Sequence, residues 1–246
     1  MFDTFIEMNF DHAYRFASSI RDTVLSNNPE EYFLDFLDLD LEGTVKPKKE
    51  TILHVFISNH VSFQFEYYVK KGEREEVANE FESLFKSYKH KYRKSRRKDY
   101  EYLLYLEKEF NNNILQKIVN ETFQLLFSDR LFCMEFNKLV SEYVSELKFV
   151  DNPKILSSDG KVIRCAYFQS WVQKAIFYRD KGCCAICLSD LSGLLKTDFH
   201  KAIDHIVPIN LGGTNDITNF QLICRSCNSK KSGKVIKTSK YYSPFF

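Results

Sequence analysis

The sequence predicts an α+β protein in two parts, a mostly helical N-terminal domain followed by a small cysteine-framed ββα domain. Three observations predict it. Apolar residues recur at helical spacing through most of residues 1–150. Two Cys-x-x-Cys pairs, Cys184/Cys187 and Cys224/Cys227, bracket 36 residues in the last third of the chain. The charge divides along the same line. Residues 151–246 carry 14 Lys and Arg against 7 acids, all Asp, a net +7, whereas residues 1–150 are net −5 within a total of +2.

The elements follow in order. Ala13, Phe16, Ala17, Ile20 and Val24 form the apolar stripe of a first helix. Asn28 before Pro29-Glu30-Glu31 marks the start of a second, with Phe33, Phe36 and Leu37 on its apolar side. Residues 51–69 depart from this pattern. After an apolar run from Ile52 to Ile57, Val61, Phe63, Phe65, Tyr67 and Val69 alternate. With Ser58-Asn59-His60 as the turn, that alternation predicts a β-hairpin. Helical spacing returns in Val77, Phe81, Leu84, Phe85 and Tyr88, in Leu103, Leu106, Phe110, Ile114 and Ile118, and in Phe132, Phe136, Leu139, Val140 and Tyr143. Between the first two of these stripes, Lys86 to Lys98 holds eight Lys and Arg in thirteen residues, with Tyr88 and Tyr92 among them. Such a helix surface suits a phosphate backbone, or is simply a solvated helix end.

Asp151-Asn152-Pro153 and Ser157-Ser158-Asp159-Gly160 are turn formers, predicting a linker over 151–163 between domains 1–150 and 164–246. Beyond it, Phe168, Trp171, Val172, Ala175 and Ile176 predict a helix running to Arg179-Asp180. An apolar segment then ends in Ile203-Asp204-His205-Ile206-Val207-Pro208. A glycine turn at Gly212-Gly213 leads to Phe220-Gln221-Leu222-Ile223-Cys224, and a helix opens near Cys227. This unit is too small to bury a core of its own.

At 246 residues, 44% hydrophobic and 28% charged, the composition is that of a soluble globular protein. No apolar run reaches eighteen residues, and the first residues lack the basic and apolar regions of a signal peptide. Seven cysteines, four of them at metal-ligand spacing, point to a reducing cytoplasm rather than to a disulfide framework.

Two knuckles of thiolates form a closed tetrahedral Zn²⁺ site able to staple a small domain. Cys183 is also at permissible spacing from Cys187. The tight knuckle turn favours Cys184 and leaves Cys183 a spare thiol, while Cys133 and Cys165 read as buried hydrophobes. Asp204-His205, Asn219 and Asn228 lie within or beside the frame, a carboxylate, an imidazole and two amides that suit a hard cation and an activated water. Alone, an Asp-His step is an ordinary surface dipeptide. His200, four residues before Asp204, reads as exposed.

Arg179-Asp180, Cys184-x-x-Cys187, Asp204-His205-Ile206-Val207-Pro208, Gly212-Gly213-Thr214-Asn215, Asn219-Phe220-Gln221-Leu222-Ile223-Cys224 and Cys227-Asn228-x-x-Lys231 together resemble the HNH endonucleases. These are ββα-metal nucleases, and the likeness is to their four-cysteine zinc-knuckle subtype over about residues 164–235. The resemblance makes His205 the general base, Asp204 a ligand of Mg²⁺ or Mn²⁺, and Asn219 the amide that orients the His205 loop. Asn228 stands where many members have a third histidine, an HNN variant in which an amide oxygen ligates the cation. Lys230 and Lys231 are implied as phosphate contacts. The implied activity is hydrolysis of DNA phosphodiesters, by nicking or double-strand cleavage, leaving 5′-phosphate and 3′-hydroxyl ends. A restriction or phage-defence effector, a mobile-element nuclease or a toxin could use such an activity; a stand-alone nuclease with a helical companion is most similar to the first, working with a sensor or ATPase protein encoded nearby. The contrasting reading is a non-catalytic zinc-module adaptor that holds DNA and docks a partner through its helices. On the first reading, the acidic N-terminal part is expected to regulate, and a fragment starting near Ser157 to bind zinc and cut by itself.

Overall fold

A computed structural model describes residues 7–26, 36–37, 40–193 and 201–242. The chain forms two compact units. The first comprises residues 1–23 and 53–126, the second residues 24–52 and 127–246.

The first unit is helical throughout its described elements: α1 (Ala13–Val24), α2 (Ile52–Lys71), α3 (Arg74–Ser87), α4 (Tyr100–Asn113) and the greater part of α5 (Leu115–Ser128). Its core is aromatic. The Phe65 ring lies 4.3 Å from Phe110, 5.0 Å from Phe81 and 6.2 Å from Phe16. Asp99 caps α4, accepting from Tyr102 N at 2.9 Å and so satisfying one of the amides that a helix start leaves unpaired.

The predicted hairpin at 51–69 is corrected here, because α2 is one continuous 20-residue helix. Val61, Phe65 and Val69 are buried while Phe63 and Tyr67 are exposed. A period of two sustained over nine residues also satisfies i, i+4, i+8, so the alternation fitted both periods. Burial follows the helical one. Ser58-Asn59-His60 is not a turn, and His60 is a buried side chain bonded to Ser19 Oγ and Gln64 Nε2, each at 3.1 Å. The basic run is corrected too. Helix α3 stops at Ser87, and residues 89–98 form a non-helical loop with Lys89 at φ +53°. The helix expected from Asn28 lies mostly outside the described residues, although Phe36 is buried.

The second unit contains α6 (Arg130–Glu146), the hairpin β1 (Leu156–Ser158) and β2 (Lys161–Val162), α7 (Ser170–Arg179), the antiparallel pair β3 (Lys201–His205) and β4 (Phe220–Cys224), and α8 (Arg225–Lys231). Helix α6, read from sequence as part of a 1–150 domain, therefore belongs with the ββα element. Residues 151–163, read as a linker, are packed structure. Leu156 and Val162 are buried, and Gly160, at φ +65°, donates its amide to Leu147 O at 2.9 Å. The turn formers there make the turn of the antiparallel β1–β2 hairpin. Together the described helices and the two small sheets make an α+β fold. No helix among the described residues is long and apolar enough to cross a membrane.

Candidate active site and metal centre

The site is built on the β3–β4 pair. Its register sets Asp204 opposite Gln221 and His205 opposite Phe220. Directly opposed residues share a face, so the carboxylate meets the Gln221 amide at 3.0 Å, while the imidazole meets the Phe220 ring edge-on at 5.0 Å. Strand β4 is anchored from below by a buried ion pair. Arg179 Nε bonds Asp180 Oδ1 at 2.9 Å, and Asp180 Oδ2 accepts Leu222 N at 2.7 Å. Arg179 also donates to Phe220 O, and Arg130 of α6 approaches Asp180 at 3.4 Å.

After His205 the chain turns through residues 206–219, and Asn219 closes that loop. Its Oδ1 accepts Val207 N at 2.8 Å, and its Nδ2 donates to Val207 O and Thr214 O, each at 2.9 Å. The glycine turn is dictated by close approach. A Cβ on Gly213 would lie 1.9 Å from Val207 O, and Gly212, at φ +79°, would set one 2.4 Å from Ser141 O of α6.

His205 is buried, and burial lowers its pKa to about 4 despite the Asn215 hydrogen bond and the Asp204 charge, which act the other way. The ring is therefore neutral at pH 7. Asn215 determines which nitrogen carries the proton. Its Nδ2 donates to two carbonyls, Thr44 O at 3.1 Å and Ile163 O at 2.8 Å, which fixes the amide's orientation. Its Oδ1 then faces Cys165 N and His205 Nε2, both at 3.1 Å. An amide oxygen only accepts, so Nε2 bears the hydrogen and Nδ1 holds a lone pair. Nδ1 bonds to no described group. Asn215 was quoted from the sequence only as part of a motif, and its role rests on Thr44 and Ile163, far away in the chain. Arg164, exposed and near enough to lower the His205 pKa, was missed altogether.

Lys231 does not stand where a phosphate contact would. Its side chain is 1% exposed, and its Nζ donates to His205 O at 2.6 Å and pairs with Asp204 Oδ2 at 3.0 Å. Lys230 beside it is exposed, as is Asn228. Asn228 precedes Lys231 by three residues on α8, one turn away on the same face. His200 lies outside the described residues.

Cys184, Cys187, Cys224 and Cys227 converge, their sulfurs all within 4.8 Å of one another. Cys187 Sγ and Cys224 Sγ are 3.8 Å apart. That matches the ~3.8 Å edge of a tetrahedron with Zn–S bonds of about 2.3 Å. Backbone amides already point at the sulfurs: Cys224 N at Cys184 Sγ and Cys227 N at Cys224 Sγ, both 3.4 Å. Burial raises the Cys184 and Cys227 thiols, whereas against burial hydrogen bonds from Ser189 help bring Cys187 down to about 6, and a bound cation would hold all four as thiolates. Four soft, closed donors fit structural zinc. Cys183 lies outside the cluster with its sulfur toward Lys181 O. Cys133 is fully buried, whereas Cys165 is only partly so, its sulfur bonded to Tyr167 O at 3.0 Å.

Asp204 Oδ1 and the exposed Asn228 side-chain amide bond no described group and could serve as ligands of a hard cation. One carboxylate and one amide, completed by water and substrate phosphate, suit Mg²⁺ or Mn²⁺.

Residues 184–234 match the family model of the HNH endonucleases. No curated protein and no solved structure matches the chain. Residues 184–234 thus carry an HNH endonuclease domain, which supports a nuclease-type, DNA-related function in general, and four cysteines there cluster as a possible metal site.

Proposed function

We propose that the HNH domain at residues 184–234 makes this chain a divalent-metal-dependent endonuclease that hydrolyses DNA phosphodiesters. The observation that carries the reading is the neutral, oriented imidazole of His205 beside the Asp204 carboxylate. His205 Nδ1 takes the proton of the attacking water, and Asn215 Oδ1 accepts from Nε2–H and stabilises the imidazolium that forms. Asp204 and Asn228 would hold the catalytic cation. When bound, that cation supplies Lewis-acid polarisation of the scissile phosphate and stabilises charge on the leaving 3′-oxygen. Asn219 keeps the 206–219 loop closed so that the ring cannot swing away. Lys231 keeps Asp204 in place and ties β3 to α8. Exposed Lys230 and Arg164 are left to meet the phosphates.

Zinc on the four cysteines is structural in this scheme, and Mg²⁺ or Mn²⁺ is catalytic. The setting we propose is a cytoplasmic restriction or phage-defence effector triggered by a sensor or ATPase encoded nearby, an analogy drawn from a small nuclease joined to a helical unit. Nicking of supercoiled plasmid with added Mg²⁺, by the full chain and by His205→Ala, tests the activity. The substitution should cost about 10²–10⁴ in rate, with zinc content and melting unchanged. No cutting by the intact, zinc-loaded chain with either metal leaves the non-catalytic DNA-binding adaptor instead.

A further inference from the structure

Eight of the cations in an otherwise acidic N-terminal region fall within thirteen residues, Lys86 to Lys98, and like charges so crowded repel one another. The structure does not relieve most of that repulsion. Lys98 pairs with Glu82, and Lys89 lies 3.9 Å from Glu7 with both side chains in solvent. Lys86, Lys91, Lys94, Arg96 and Arg97 are exposed and form no ion pair with any described residue.

The segment carrying them is nonetheless pinned in shape. Tyr102 OH donates to Arg93 O at 3.1 Å, Arg93 N donates to Tyr105 OH at 2.8 Å, and the Tyr92 ring packs 4.9 Å from Phe85. The result is a groove of about 800 Å³ between α3 and the loop, into which Lys86, Lys91 and Lys94 face with His90. Glu82 is its one acid, already neutralised by Lys98 and by the Tyr102 hydroxyl.

We infer that this groove is a second nucleic-acid contact, holding the phosphate backbone of a strand through Lys86, Lys91 and Lys94. It lies in the unit that contains none of the nuclease residues, so it goes beyond the catalytic reading. The backbone of the loop is held by Tyr102, Tyr105 and Phe85, so only the lysine side chains need ordering on a polyanion. No aliphatic side chain lines the groove, and its aromatic ring, Tyr92, is packed on Phe85, which disfavours a lipid surface. The net −5 of residues 1–150 does not oppose this, because the charge that meets a phosphate is the local one.

The test uses the full chain in a His205→Ala background, so that binding is read without cutting. Fluorescence anisotropy with a short duplex and with a single strand, across about 50–200 mM salt, gives affinity and salt slope. Lys86→Glu, Lys91→Glu and Lys94→Glu together should weaken binding at least tenfold to one or both probes. They should reduce the slope of log K against log salt by about 2–3, near 0.9 per lost phosphate contact on duplex. Melting should not change, because all three side chains are in solvent. Should the Glu variant fail to fold, the triple Gln variant must show the reduced slope. Unchanged affinity and slope for both probes overturn the inference. So does a variant that keeps DNA binding while losing binding to polyglutamate or to phosphatidylserine vesicles, since the groove then serves another partner. Plasmid nicking by the His205 parent tests the nuclease reading separately.

Discussion

On the proposed reading, His205 and Asn215 together carry the chemistry at the scale of single residues. The imidazole acts as a base only through the nitrogen without a proton, and Asn215 chooses that nitrogen because its own amide is held by Thr44 O and Ile163 O. Asn215→Ala should lower the nicking rate by about 10²–10⁴. The imidazole ¹⁵N spectrum should lose its single Nε2–H signature. Asn215→Asp should be no rescue, because a carboxylate would face those two carbonyls with no hydrogen to offer. Nicking at the parental rate by either variant would remove Asn215 from the mechanism. Lys231 illustrates the complementary point. A lysine in a nuclease motif reads as a phosphate contact, yet here it is buried against Asp204 and the His205 carbonyl.

Among the elements, the β3–β4–α8 unit depends on its four sulfurs. Cys224 begins α8 and its thiol accepts Cys227 N, so the knuckle is also the helix cap. Removing one ligand should unfold the unit, since metal binding in modules of this size is folding free energy. Cys227→Ser should therefore lose stoichiometric zinc and a cooperative melt, whereas Cys183→Ser, outside the cluster, should keep both. Metal analysis with circular dichroism distinguishes the two. Full zinc and normal melting in Cys227→Ser would contradict the ligand assignment. Helix α2 teaches something different about elements. Its residues satisfied strand and helix periods alike, and only the neighbours that bury Val61, Phe65 and Val69 decided between them.

Across the whole molecule, the HNH domain is not self-sufficient. Its compact unit draws on residues 24–52 and on α6. Thr44 O receives Asn215 N at 2.8 Å, Ile52 N donates to buried Asp216 at 2.9 Å, and Asn137 Nδ2 donates to Thr218 Oγ1 at 3.0 Å. A fragment starting near Ser157 lacks all three partners. It should be poorly folded and inactive even with zinc, contrary to what the sequence suggested. Nicking by that fragment at the full-chain rate would refute this account. Acid sensitivity has origins in both units, since buried His205 shares the lowered pKa of two histidines in the first. Burial lowers His54 and His60 to about 4 from a usual 6.5, so the unfolded chain binds more protons between those values. Their contribution to stability is complete above about pH 6.5 and is lost as the pH falls toward 4. Melting followed from pH 7 to 4 should show the decline, and His60→Gln should flatten it. A pH-independent midpoint over that window would exclude the two histidines.

By itself the sequence determined the α+β class, the four cysteines that cluster as a possible metal site and the Asp204-His205 step. Each of these is written in local spacing: a helical period, two x-x gaps, adjacent residues. Helical stripes such as Phe132, Phe136 and Val140 were legible for the same reason, because one turn of helix fixes which side chains share a face. Only the tertiary structure decided the tautomer of His205, the burial of Lys231, the membership of α6 and residues 24–52 in the nuclease unit, and the packing of 151–163. Those features depend on hydrogen bonds between residues far apart in sequence, as Thr44 and Asn215 are. No local pattern records such a bond, since an amide's partners are chosen by where the folded chain sets the carbonyls.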